Sequence, residues 1–508
     1  MISALILSLV IQDSFKSEGP LEFKNIQSPT TAVQYQPVEI TIDLGGTWNN
    51  AFDPKQIDVS AYVVGPENIA AEVPGFLYAS PGNKPVWKIR FSPWAAGGFG
   101  VNISAMDTLA RIESQKLGIK VSGPSDEDKK TAGFIESLEK KPYLQRAKKG
   151  FFPIGAILSA EQASPAAFAK LKSLGANFCV MAVTSGLEPK LGIYDMAKFA
   201  KLEELLDSAK ANGIYVMLTL AGRDWLENWK TNTYNRANGG PCEKTEDFWT
   251  DLQARIAYKK FLRYLIARLN SNSALAGVQF FTGVEAPDYW VDEMSDEVVA
   301  LHPFGIPVTT ESRLEGVFKS EKLNVVTSDL KFEGANRPET QTYAVIHGLS
   351  LATKKPVLIT NLPDGLSTRS LLWWQVISGA AGAFTKGIPA ENIYQPLADF
   401  STNIDWYRRK FESRQVFGSG DTAGWGLIDD NGGPVYIETA GAIQNSEAKA
   451  QAGQASLALK RGGKYKFTWY STATGEKLTE GEVQDKDKEI TFPYPAFKQG
   501  IACLLERK

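Results

Sequence analysis

Apolar and polar residues alternate with two different periods along this chain, and the change of period divides it into three. Between residues 33 and 121 every second position is apolar in Val38-Glu-Ile-Thr-Ile42, Val59-Ser-Ala-Tyr-Val63, Val86-Trp-Lys-Ile-Arg-Phe91 and Leu117-Gly-Ile-Lys-Val121. A period of two puts alternate side chains on one face of a strand, and Gly, Pro and Asn separate the runs. The pattern predicts an Ig-like β-sandwich over 30–125. A charged, Gly/Pro/Ser-rich stretch follows, and 126–149 reads as a linker. From residue 151 the texture becomes strand, then helix, repeatedly. The run 151–158 is a strand candidate; Ser164 caps the next helix, Pro165 takes its first position and Gly175 ends it. A second strand falls at 177–183. Asp195 caps a helix over 196–212 whose Met196, Phe199, Leu202, Leu205, Leu206 and Ala209 form one stripe. Gly213 stops it before a strand at 214–220. A long helix, 246–269, leads to a strand at 276–281, and further runs lie at 306–310, 324–326, 356–359 and 379–384. Eight strands separated by helices predict a (β/α)8 TIM barrel over 150–415. A doubly wound sheet is disfavoured because no Gly-rich phosphate turn follows the first strand. From residue 420 short strands return at 426–428, 435–439, 465–470 and 490–492, with a Gly462-Gly463 turn, predicting a second β-sandwich over 420–508. The expected fold is a central (β/α)8 barrel flanked by N-terminal and C-terminal β-sandwich domains.

Composition narrows the function. The 508 residues are 43% hydrophobic and 22% charged, and the net charge of −2 offers no basic field to nucleic acid. Cys179, Cys242 and Cys503 form no CxxC pair, which argues against a zinc site or a disulfide framework. His302 and His347 are the only histidines, too few for most zinc enzymes and Ser-His-Asp hydrolases; His347 lies in a helix-like stretch and reads as packed or surface. No metal or cofactor is expected. The apolar residues 1–11 turn polar at Gln12-Asp13 and are too short to span a bilayer. They read as a signal-peptide core, without a preceding Lys or Arg, so 1–18 is a candidate signal segment and export the expected destination. No transmembrane segment is expected, and nothing indicates an oligomeric state.

The stretch 231–242, Phe248-Trp249 and 258–268, followed by Gly283-Val-Glu285, 290–294 and 302–310, resembles the third-to-fifth strand region of family 5-like glycoside hydrolases (cellulase and mannanase type, clan A). Lys355-Pro-Val-Leu-Ile-Thr-Asn361 is similar to the segment around their seventh strand, and Trp373-Trp374 with 378–382 to the approach to the eighth. The N-terminal region resembles the domain of unknown function 5060 through Ala51-Phe-Asp53, Pro74-Gly-Phe76 and 90–93. The C-terminal region resembles a collagen-binding-type accessory sandwich through 464–470, Thr474-Gly475 and 495–502.

This resemblance implies two carboxyl groups at strand ends. A retaining glycosidase holds them about 5–5.5 Å apart, one as acid/base and one as nucleophile. Glu285 stands at the acid/base position, but Val284 replaces the family Asn that hydrogen-bonds the sugar 2-OH. Asn361 stands at the nucleophile's position and Thr360 replaces the Gly before it. An amide carries no charge and does not attack carbon, so the first displacement is lost. Glu311, Asp329 and Asp364 are candidates for a relocated second carboxylate, with loop residues of no chemical role as the plainer reading; an inverting pair needs about 6.5–9.5 Å. Arg223 is a candidate sugar contact, or an ion-pair partner that orders its loop. Trp225, Trp229, Trp290, Trp373 and Trp374 are candidate stacking platforms, with core packing as the plainer reading for each. The expected function is a catalytically degenerate glycoside-hydrolase-like protein that binds a polysaccharide or oligosaccharide, or scaffolds, at the cell exterior. The alternative is an active hydrolase on a β-linked glycan using Glu285 with a relocated carboxylate. A third reading makes the barrel purely structural, since fold alone does not confer function.

Overall fold

The computed structural model describes residues 15–508 apart from 80–84, 127–128, 130–132, 139, 303 and 333–336. The candidate signal segment lies almost wholly outside the described residues. Parallel strands occupy the middle of the chain: β1 (Ile154–Leu158), β2 (Phe178–Ala182), β3 (Tyr215–Gly222), β4 (Leu275–Thr282), β5 (Val308–Thr309), β6 (Val326–Asp329), β7 (Val357–Asn361) and β8 (Ala383–Lys386). The main helices between and after them are α1 (Pro165–Ser173), α2 (Met196–Ala211), α3 (Leu252–Leu269), α4 (Asp288–Leu301), α5 (Pro338–Thr353), α6 (Thr368–Ile377) and α7 (Tyr394–Ser401). Strands β1 to β5 pair in sequence order, β6 pairs β7, and β8 pairs back onto β1. One parallel bridge, Glu311 to Thr327, spans β5 and β6, and the Ala381 N–H donates to Val357 O at 2.8 Å between β7 and β8. The ring is closed, as the alternation of strands and helices predicts.

Local chemistry sets the boundaries. Ser164 Oγ accepts from Ala167 N at 3.2 Å, and Asp195 Oδ1 from Ala197 N and Lys198 N at 3.1 Å. The expected helix over 246–269 is broken. Asp251 Oδ1 accepts from Gln253 N and Ala254 N at 2.8 and 2.9 Å, which starts α3 there and leaves a single turn before it. The sixth strand falls later than 324–326, because the Asn324 side chain accepts the Val308 N–H at 2.8 Å instead of extending a strand. The eighth begins after 379, because Gly379, at φ 95°, turns the chain out of α6.

The barrel interior carries a hydrogen-bonded polar layer. Thr219 Oγ1 donates to Gln279 Oε1 at 2.8 Å, and Gln279 Nε2 donates to Thr360 Oγ1 at 2.9 Å and Thr327 Oγ1 at 3.3 Å. All four residues are buried, so each polar atom needs the partner it has. Thr360 is therefore part of the barrel's own filling.

Residues 135–149, expected as linker, form with Gly150 and Phe151 a three-stranded antiparallel meander (Ile135–Glu136, Leu144–Arg146, Lys149–Phe151). The reason is apolar content: Phe134, Ile135, Tyr143 and Leu144 are buried. Phe134 stacks on Phe304 at 4.1 Å, Phe151 meets Tyr215 at 5.2 Å, and Ser137 Oγ donates to Asn324 O at 2.6 Å. Tyr215 opens β3 and Asn324 precedes β6, so the meander covers the barrel's N-terminal end. Phe151 belongs to it, and Phe152-Pro153 separates it from β1.

Before the barrel, nine strands join one sheet among the described residues. The strand Ala70–Tyr78 pairs with Ile57–Val64 up to Pro74 and with Val86–Phe91 from Gly75, so the sheet folds over at that dipeptide. Its inner side chains share one apolar core with the barrel. Helix α3 carries the contact: Lys260 pairs with Asp53 at 2.7 Å, Arg263 with Asp58, and Tyr264 Oη donates to Leu77 O at 3.0 Å. Arg268 is buried there, pairing with Glu203 beneath the Phe76 ring. After the barrel, eight antiparallel strands form a sheet with its own core around Tyr465, Trp469 and Phe492.

Candidate functional site

The C-terminal ends of the barrel strands form the mouth where such folds place their chemistry. At β4 the chain turns through Gly283, at φ 70° in the left-handed region that favours glycine. This presents Glu285 to solvent, where Oε2 accepts from Ser312 Oγ at 2.6 Å and Oε1 from Arg313 N at 3.0 Å. Glu311, just past β5, is buried instead. Its carboxylate accepts from Thr282 Oγ1 at 2.6 Å and Gly283 N at 3.0 Å, and the Asn361 amide bonds it as well. Burial, with the nearby charge of Asp329, holds Glu311 above the usual carboxylate range despite those bonds. Asp329 ends β6 and is 3% exposed; Arg313 Nε lies 2.8 Å from Oδ1 and Lys331 Nζ 2.9 Å from Oδ2. Burial pushes Asp329 up, but the two cations outweigh it and hold the group below its ordinary value. Asn361 ends β7 in register with Asp329. Asp364 stands off in solvent, paired with Lys386 at 2.7 Å.

Thus Glu311, Asp329 and Asn361 cluster at the ends of β5 to β7, while Glu285 is hooked to the loop after β5. Glu285, Glu311, Asp329 and Asp364 each already have charged or hydrogen-bonding partners.

The aromatic candidates divide. Trp290 is fully buried on α4, among Phe248 at 5.7 Å, Trp249 at 5.2 Å, Tyr258 at 5.1 Å and Phe281 at 5.5 Å. It lies on the apolar stripe of α4 with Val291, Met294 and Val298, so it is a core residue rather than a stacking platform. Trp373 and Trp374 are buried on α6 against Tyr436 of the C-terminal sheet, at 5.9 and 5.8 Å, and they too are packing residues. Trp229 is half-buried, with its indole N–H enclosed. Trp225 is half-buried and reaches the mouth. Arg223 is exposed, and its Nε donates to Gly283 O at 3.1 Å, so it braces the β4 turn.

A cavity of about 400 Å³ opens beside this cluster, at the ends of β1 to β4. Its walls include Glu188, Asp224, Trp225, Tyr234, Tyr258 and Phe261, but none of Glu285, Glu311, Asp329, Asn361 or Asp364. The Asn-rich stretch 231–242 builds one wall by bonding to itself. Asn232 Nδ2 donates to Trp225 O at 2.8 Å, Asn235 Nδ2 to Trp229 O at 2.9 Å, and Tyr234 N to Asn232 Oδ1 at 3.0 Å. Glu188, in the loop after β2, accepts from Gly192 N at 2.8 Å. The residue is half-buried as a whole, but its carboxyl is enclosed; loss of solvent pushes it up to about 7, against the pull of the Gly192 N–H and the Tyr234 hydroxyl. Tyr194, Tyr234 and Tyr258 sit close enough to feel its charge. The sequence reading missed Glu188, a lone loop carboxylate in no motif. Its one signal is its place just past a strand end.

No family model and no curated protein matches the sequence. Solved structures match the fold. One is a candidate glycoside hydrolase from Bacteroides vulgatus, aligned over 94% of this chain and 100% of that one with TM-score 0.63 and 15% identity. The fold is glycoside-hydrolase-like. A family 5 glycoside hydrolase, also from Bacteroides vulgatus, aligns over 74% of this chain and 94% of that one with TM-score 0.51 and 14% identity. At these identities the likeness speaks for architecture, a (β/α)8 barrel with additional domains, and not for residue roles.

Proposed function

We propose that this protein is a catalytically degenerate glycoside hydrolase of the family 5-like type, which binds a β-linked polysaccharide or oligosaccharide outside the cell without cleaving it. In this reading the two strand-rich regions are accessory β-sandwich domains, and residues 1–18 direct export. The observation that carries it is the end of β7. Asn361 stands where a nucleophile is required, and its amide bonds Glu311. The remaining carboxylates do not replace it. Asp329 has a cation on each oxygen, Glu311 has its acceptor sites filled from β4, and Asp364 pairs with Lys386 in solvent. Beside them the cavity of about 400 Å³ offers Trp225 and tyrosine walls to a sugar ring.

One observation favours a second reading. Glu311 and Asp329 interact, and their surroundings push their proton affinities in opposite directions, the pattern of an acid and its charged partner. In that reading the two carboxyls hydrolyse by inversion.

A panel of β-linked oligosaccharides, screened for binding and for reducing-end release in parallel, tests both. The first reading expects binding without release. Release that disappears on Glu311→Gln or Asp329→Asn supports the second. Absence of binding to any glycan contradicts the first.

A further inference from the structure

Among the residues lining the mouth cavity, Glu161, Glu188 and Asp224 are acidic and none is Lys or Arg. Lys198 Nζ donates to the carbonyls of the lining residues Ser185 and Gly186 at 2.9 and 3.3 Å. The walls are hydroxyl-bearing and aromatic: Thr184, Ser185, Tyr234, Tyr258 and Trp225. One wall group asks for a ligand. Tyr258 is 4% exposed, and its hydroxyl has no hydrogen-bond partner among the described residues. An enclosed hydroxyl left unpaired is unfavourable, and a hydroxylated ligand in the cavity would relieve it.

Resting on the reading of the barrel as a glycan-binding site, we infer that the cavity takes a glycan carrying free amino groups, with the ammonium at Glu188 and ring hydroxyls at Tyr258 and the rim. Three independent features converge on that class. The carboxyls attract a cation where nothing neutralises them in the lining, charge-assisted bonds being stronger than neutral ones. The aromatic faces favour an ammonium-bearing ring over a carboxylated one. The volume of about 400 Å³ admits a short oligosaccharide segment rather than a bare ion. A uronic acid or a sulfated sugar would meet like charge on the floor and on the rim.

The test is isothermal titration with three six-sugar probes of the same β-1,4 linkage: glucosamine, N-acetylglucosamine and glucose oligomers. The expected result is that the glucosamine oligomer binds about tenfold more tightly than the other two. Glu188→Gln and Asp224→Asn each remove most of that preference, read as the ratio of the glucosamine to the glucose oligomer's affinity in the same variant. Asp224 is exposed, so its variant keeps the test valid if the Glu188 variant folds poorly. Equal affinity for charged and neutral probes, or a preference that survives both variants, overturns the inference while glycan binding stands. If none of the probes binds, this inference fails, and the binding reading then rests on the wider panel.

Discussion

The two halves of the barrel mouth are built from the same strand ends and do opposite things with their carboxyl groups. At β4 to β8, Glu285, Glu311, Asp329 and Asp364 are held by Ser312, Thr282, Gly283, Asn361, Arg313, Lys331 and Lys386. At β1 to β4, Glu188 faces a cavity with tyrosine hydroxyls and no cation in the lining. A carboxylate has to be neutralised, hydrogen-bonded or solvated when it is buried. The first half does this for Asp329 with two cations and for Glu311 with hydrogen bonds. The second kept its space. On the proposed function, chemistry is lost where charge must be closely balanced and binding is kept where only shape and hydroxyls are needed.

The comparison can be broken at several points, taken from the largest expected effect. Trp290→Ala removes the centre of the aromatic core behind both halves and should cost about 3–5 kcal/mol in urea unfolding. A folded variant of unchanged stability would show that Trp290 is not the packing residue described. Glu188→Gln should change how stability depends on pH. A carboxyl raised to about 7 is harder to ionise folded than unfolded, so stability falls as pH rises from the ordinary carboxylate range toward 7 and then levels. The Gln variant should lose that slope and be more stable above neutrality, by at most about 3 kcal/mol, with no gain at acid pH. Melting temperatures across pH check this, and parallel curves for the two proteins would contradict it. Arg313→Ala strips one of the two cations from buried Asp329 and should cost about 2 kcal/mol, less than a full buried pair because Lys331 remains. Indifference to this change would mean that Asp329 is not held by its ion pairs. Trp225→Ala has the smallest expected effect on folding, but it should weaken glycan binding about tenfold, read by titration. Unchanged binding would move the ligand away from the open half.

Much of this was legible in the sequence, for physical reasons. The period of two, the change to strand–helix alternation and the caps Ser164 and Asp195 state the architecture, because backbone hydrogen bonding and burial act locally. The meander at 135–151 escaped, since its few apolar residues are interleaved with Lys and Gly and gain their meaning only against the barrel's open end. The strand-end carboxylates were identifiable as residues, but not their partners. Arg313 and Lys331 lie 16 residues before and two residues after the Asp329 they hold, with no motif to mark them. Trp290, Trp373 and Trp374 illustrate the opposite case: an aromatic side chain on a helix reads alike in the sequence whether it faces a groove or a core. Glu188 was missed because its environment is made by Tyr234 and Tyr258 from elsewhere in the chain.

The central claim is that the mouth holds a glycan and leaves its linkage intact. A single-turnover experiment, with protein in excess over the tightest-binding β-linked oligosaccharide and products followed by mass, tests it without assuming retention or inversion. The account predicts that the full-length oligosaccharide is recovered unchanged. Shortened sugars from the native protein, absent with Glu285→Gln or Glu311→Gln, would contradict it.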